Sequence, residues 1–208
     1  MEIKILDNFL KEEDFKEIES LDLPLPKSNE IKIFHSRIFE NSIFSSEFLS
    51  KESLQRFNDN YHQKAIDLLK ELCPEKIKLY SYSEFHLILT GKNYKFPIHD
   101  DTPNKLLSGV IYINPEKNNG TKFYVSKTNM DGREIKWKKN RAVFFSRKEK
   151  ETWHSYEGDR INTRVALVYN LMTNDIKSVC KIEKKNYLLS LLRFKLNPYF
   201  YRLFKKLI

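Results

Sequence analysis

Near residue 77 the hydrophobic period of this chain changes from helical to two, and that switch constrains the fold more than any other feature. Upstream, KESLQRFNDNYHQKAIDLLKELC (51–73) places Leu54, Phe57, Tyr61, Leu68, Leu69 and Leu72 at the three-and-four spacing of an amphipathic helix, which Pro74 closes. Downstream, IKLYSYSEFHLILT alternates Phe85, Leu87 and Leu89 with Glu84, His86 and Ile88. Short apolar runs follow at regular spacing: LLSGVIYI (106–113), TKFYV (121–125), REIKW (133–137), RAVFFS (141–146) and RVALVYNL (164–171). The turn sequences TPNK, NNG, NMDG, KKN and EGDR separate them. This pattern predicts an antiparallel sandwich or barrel.

Before the long helix, EIKIL (2–6) and IKIFHSRIF (31–39) read as strands. LDNFLKEEDFKEIESL reads as a helix capped by Asp7 or Asn8 and ended before Pro24 and Pro26. The predicted fold class is α+β: a double-stranded β-helix (jelly-roll) core buttressed by N-terminal helices, with a basic helical C-terminal tail. By this reading the domain spans 1–175 (buttress 1–75, core 76–175), and the tail spans 176–208. With 40% apolar and 13% aromatic residues the chain has the material for a core, so disorder is excluded as its general state.

The net charge of +9 would suit a nucleic-acid partner, but its distribution does not. Residues 176–208 hold nine basic residues and one acid, Glu183, leaving about +1 on the other 175. No basic groove across the body is predicted, and no nucleic-acid partner is expected. The opening MEIKILDNFLKEEDF lacks the features of a signal peptide. Cys73 and Cys180 are far apart and without CxxC spacing, so they read as structural thiols in a reduced, cytoplasmic setting.

Chemistry concentrates in two places. KFPIHDDTPNKLLSGVIYIN (95–114) sets His99 and Asp101 two apart at the end of an extended run. WHSYEGDRINTRVALVYNL sets His154 after the RAVFFS strand and Arg164 ten residues later, at the start of another. Either element alone is weak, since a lone histidine near a strand end is more often structural. Together, two histidines and one carboxylate can occupy one face of an octahedral ion and leave the opposite positions open, as in non-haem Fe(II) oxygenases.

The ordered set His99-x-Asp101, GVIYIN, NRAVFFS, WHS and Arg164 resembles the 2-oxoglutarate- and Fe(II)-dependent dioxygenase superfamily, in its prolyl-hydroxylase-like branch, over roughly residues 77–171. The resemblance implies a hydroxylase that uses Fe(II), 2-oxoglutarate as co-substrate and O2. It implies that His99, Asp101 and His154 ligate the iron, and that Arg164 pairs with the distal carboxylate of 2-oxoglutarate through its planar fork. Tyr112 stands where the family often places a tyrosine bonded to the same carboxylate, provided the strand turns it inward. Thr90 and Tyr94 lie on the approach to His99 and are expected to line the pocket. Arg160, in the polar EGDR turn, competes with Arg164, which is preferred because it opens an apolar strand. His35, His62 and His86 read as ordinary polar positions. The sequence departs from the family pattern at Asn118-Asn119-Gly120, where a Gly-Gly is usual, and at Thr90 before Gly91, where a tyrosine is frequent. The loop RKEKET (147–152) and the NMDG turn are expected to border the mouth.

The expected substrate is a small molecule, an envelope glycan or lipid precursor, or a protein side chain. The alternatives are a protein prolyl hydroxylase of the same branch and a non-catalytic jelly-roll binding protein. In the tail, NYLLSLLRFKL and PYFYRLFKKLI read as two amphipathic helices meeting at Asn197-Pro198. They suit either an anionic membrane surface, on its inner face, or packing on the body or on a second subunit.

Overall fold

The computed structural model describes residues 2–39, 42–128 and 131–204. Among the described residues, eleven strands form two antiparallel sheets. The larger contains β1 (Lys4–Leu6), β2 (Ile31–Phe39), β3 (Ser42–Ser46), β4 (Tyr82–Thr90), β6 (Lys105–Asn114), β9 (Ala142–Ser146) and β11 (Arg164–Met172), in the order β1-β9-β6-β11-β4-β2-β3. The smaller contains β5 (Lys95–His99), β7 (Thr121–Tyr124), β8 (Arg133–Ile135) and β10 (Trp153–Glu157), in the order β5-β10-β7-β8. This is the jelly roll with helical buttress that the change of period predicts.

The alternation of the strands decides where the core and the cavity lie. On β4, Phe85, Leu87 and Leu89 are buried with the helical layer, while His86, Ile88 and Thr90 line a cavity on the other face. β11 repeats this opposite β4, with Tyr169 stacked on Phe85 at 4.4 Å. On β6, Gly109 leaves room for the Phe144 ring, which an added Cβ would strike. Helix α2 (Lys51–Leu72) packs Leu54, Phe57, Tyr61, Ala65 and Leu69 against this sheet, and Ser50 caps it by accepting from the Ser53 amide at 3.1 Å. A smaller cluster of Tyr112, Phe123, Ile135, Val143 and Phe145 fills the space between the sheets.

Several elements differ from the sequence reading. Helix α1 is shorter than expected, Glu12–Glu19, with Lys11 at its N-cap position and no side-chain cap. Asp7 is instead drawn to Arg141 (2.6 Å) and Lys138 (2.8 Å), and Asn8 takes a left-handed φ of 52°. The hydrophobic pair Phe9-Leu10 is buried before the helix begins. Strands β3 and β10 were not legible as strands: SIFSS is short and hydroxyl-rich, and WHSYE mixes aromatic and polar residues without alternation.

The tail folds as α3 (Ile176–Ile182), capped by Asp175, and one helix α4 (Tyr187–Phe204). The expected break at Asn197-Pro198 does not occur. A proline within a helix costs one amide donor, but its fixed φ remains helical, and α4 runs on through Pro198.

Candidate metal centre and its cavity

β5 and β10 are neighbours in the small sheet, and their register sets His99 directly opposite His154. The two rings lie 4.2 Å apart. Asp101 follows His99 by two residues, in the turn that leads to β6, and its carboxylate comes back to the pair. One ligand atom from each of the three lies within 4.8 Å of the others. Asp101 and His154 are buried, and His99 is half-buried.

The hydrogen bonds fix which ring nitrogen faces the gap. His99 Nδ1 lies 2.9 Å from the Pro97 carbonyl, and His154 Nδ1 lies 2.9 Å from the Thr152 carbonyl. A carbonyl can only accept, so each Nδ1 donates and each Nε2 is the nitrogen left to face a cation. Burial, and then the neighbouring His154, pull the His99 pKa down to about 3, so its ring is neutral near pH 7. Burial alone would raise the Asp101 pKa. The Lys105 ammonium overcomes that, by its charge and its hydrogen bond, and leaves it well below the usual carboxylate range. Lys105 Nζ donates to one Asp101 oxygen at 2.7 Å and Ser108 Oγ to the other at 2.6 Å. Each oxygen still has a second lone pair to offer. Two imidazoles and one ionised carboxylate form a donor set that fits a divalent transition metal such as Fe(II).

Beside this cluster lies a cavity of about 380 Å³, within the range of small-ligand sites. Arg164, Thr90 and Tyr94 all line it, as do His99, Asp101 and His154. Arg164 opens β11 opposite Thr90, and its side chain is buried in an aromatic box. Its guanidinium carbon sits 4.0 Å from the centre of the Tyr156 ring and 5.6 Å from those of Tyr112 and Trp137. Among the described residues no carboxylate pairs with Arg164, and its Nε has no hydrogen-bond partner. Burial pulls its pKa down, only partly opposed by Tyr156 and Tyr112. A buried charge without a counter-charge costs several kcal/mol, of the order of 3–5, a cost that an anion entering the cavity would relieve. Arg160 lies elsewhere, with a side chain 78% exposed beside Glu157.

Tyr112 does turn inward and is fully buried, but its hydroxyl is engaged by the backbone. It accepts from the Thr121 amide at 2.9 Å and lies 3.4 Å from the Ile135 carbonyl. What it offers Arg164 is the face of its ring, stacked on Trp137 at 4.5 Å.

Several residues of the site escaped the sequence reading. Ser108 carried a usable signal, a lone hydroxyl in an otherwise apolar strand. Tyr156 and Trp137 carried none, since only the topology brings them to Arg164. His86, read as an ordinary polar position, lines the cavity 3.3 Å from Glu84. Phe194 and Asn197 of α4 line it too. Of the two segments expected at the mouth, 147–152 bears on the metal motif: the Lys150 amide donates to Asp100 at 2.8 Å, and Arg147 Nε to the Asp101 carbonyl at 3.1 Å. Asn129 and Met130 of the NMDG turn lie outside the described residues.

The chain has the fold of the prolyl-hydroxylase-like 2-oxoglutarate- and Fe(II)-dependent oxygenases. Among solved structures it is similar to a Pseudomonas putida prolyl-4-hydroxylase (12% identity, TM-score 0.54, covering 83% of this chain and 92% of that one). It is similar to a prolyl hydroxylase from Trichoplax adhaerens solved with a hypoxia-inducible-factor peptide fragment (14% identity, TM-score 0.55, covering 85% and 86%). It is also similar to an oxidoreductase of the 2OG-Fe(II) oxygenase family from Burkholderia pseudomallei (16% identity, TM-score 0.51, covering 82% and 84%). No protein-family model and no curated protein matches the sequence.

Proposed function

We propose that the protein is an Fe(II)- and 2-oxoglutarate-dependent dioxygenase that hydroxylates an unactivated C–H bond. His99, Asp101 and His154 would hold the iron. Arg164 would hold the distal carboxylate of 2-oxoglutarate. The observation that carries this reading is the buried, unpaired guanidinium of Arg164 lining the same cavity as the His-Asp-His cluster. A metal site alone would suit many functions; a metal site with a buried guanidinium to receive a carboxylate in the same cavity suits this one.

When bound, Fe(II) with 2-oxoglutarate and O2 supplies the oxidation of a substrate C–H to an alcohol, with release of succinate and CO2. The chain's own contribution is positional. The Pro97 and Thr152 carbonyls aim both Nε2 atoms, and Lys105 and Ser108 hold Asp101 ionised and oriented. The rings of Tyr156, Tyr112 and Trp137 exclude water from Arg164 and so strengthen its grip on an anion. Tyr94, Phe96, Ile31 and Ile33 give the rest of the cavity apolar walls. They suit a small molecule, an envelope glycan or lipid precursor, or a protein side chain, a prolyl residue included.

Calorimetry with Mn(II) in place of iron tests this without turnover. The Mn(II)-loaded protein is expected to bind 2-oxoglutarate at one site. Arg164→Met should keep Mn(II) and bind 2-oxoglutarate about a hundredfold more weakly. Undiminished binding in that variant would remove Arg164 from the role. No binding in the intact protein would favour a non-catalytic jelly-roll binding protein.

A further inference from the structure

Helix α4 has two unlike faces. One belongs to the body: Ser190 is buried against Glu149, Arg193 pairs with Asp100, and Phe194 and Asn197 line the site cavity. The other is apolar and uncovered. Leu188, Leu189, Leu192 and Tyr199 are 71%, 66%, 56% and 67% exposed. At helical spacing they fall within an arc of roughly 100°, a continuous stripe rather than scattered residues. Beside the stripe runs an open groove of about 390 Å³, where Leu189 and Leu192 meet Trp153 and the cations Lys127, Lys150 and Arg193.

Charge identifies the occupant. The tail from 176 carries +8, while the remaining 175 residues carry about +1. The side chain of its single acidic residue, Glu183, is buried between Lys76 and Arg147, so among the described residues the tail's outer surface offers no acidic side chain. A second copy docking through the same face would set one basic helix against another, because a two-fold interface pairs a surface with itself. No described helix is long and apolar enough to cross a membrane. An apolar stripe flanked by Lys and Arg, on a helix that cannot span, is the composition of a helix lying on an anionic bilayer.

We infer that the exposed face of α4, with Lys127 and Lys150 on its rim, docks on an anionic lipid bilayer. The leucines enter the headgroup boundary and the cations meet the lipid phosphates. Because Phe194 and Asn197 on the same helix line the site cavity, docking sets that cavity beside the headgroups.

The test is co-sedimentation of the full chain with vesicles of phosphatidylcholine, alone or with roughly 30% phosphatidylglycerol, alongside light scattering of the free protein. The metal site enters neither readout, so failure here leaves the proposed chemistry untouched. The expected result is a monomer that binds the anionic vesicles at least about tenfold more tightly than the neutral ones. Leu189→Glu/Leu192→Glu, at exposed positions and with an unchanged circular dichroism spectrum, should abolish binding. Lys127→Ala/Lys150→Ala should weaken it several-fold. Equal sedimentation with both vesicle types would overturn the inference. So would anionic binding that ignores the leucine substitutions. A dimer that Leu189→Glu/Leu192→Glu converts to monomer would assign the stripe to a second copy instead.

Discussion

Arg164 and Asp101 show how a single side chain can be left wanting by its own fold. Arg164 lies among three aromatic faces with no carboxylate partner among the described residues, which makes the unliganded protein less stable than its packing allows. Arg164→Met keeps most of the volume and removes the charge. In urea unfolding without metal or 2-oxoglutarate it is expected to raise stability by about 1–2 kcal/mol, the cation–π contacts offsetting part of the desolvation cost. A loss of stability would mean that the guanidinium has a partner within the fold. Asp101 is the opposite case, since both its oxygens are already served. Ser108→Ala removes one donor without touching a ligand. It should lower Mn(II) affinity by roughly tenfold to a hundredfold in competition with a chelator. Unchanged affinity would show that Lys105 alone orients the carboxylate.

At the scale of elements, two helices do different work. Helix α2 covers the large sheet, and Phe57 sits at its centre, fully buried against Tyr61 and Phe85. Phe57→Ala should cost about 3–5 kcal/mol of unfolding free energy, because the sheet beneath cannot collapse into the void. Helix α4 is held at the cavity by the Arg193–Asp100 pair, and Asp100 stands between two of the proposed ligands. In Arg193→Ala, hydrogen exchange should quicken through 187–197 while amides of β4, β6 and β11 keep their protection. Uniform quickening would instead make α4 part of the global folding unit. The strands that pack one face on the helices were legible because burial enforces their alternation, as in Phe85-x-Leu87-x-Leu89. WHSYE was not, because β10 carries residues of the candidate site: His154 and Tyr156 occupy positions that a purely structural strand would give to aliphatic residues.

For the molecule as a whole, the resemblance of an ordered set of motifs to a known superfamily named His99, Asp101, His154 and Arg164 as site candidates, since ligand chemistry restricts residue types in order along the chain. It could not reveal the Arg164 box, because Trp137 and Tyr156 reach it only through the closing of two sheets. Nor could composition reveal how the tail attaches. Glu183 lies between Lys76 (2.7 Å) and Arg147 (2.6 Å), and all three side chains are buried. Ending the chain after residue 175 leaves buried Lys76 without a carboxylate and Arg147 with Glu149 alone, at 3.5 Å, so that truncation should cost at least about 3 kcal/mol of stability. The central claim joins the metal cluster and Arg164 in one cofactor site, and an anaerobic titration with Fe(II) and then 2-oxoglutarate addresses it most directly. The account predicts a weak visible charge-transfer band that needs both additions, is absent in His99→Ala, and requires about a hundredfold more 2-oxoglutarate in Arg164→Met. No band in the intact protein, or one indifferent to both substitutions, would contradict it.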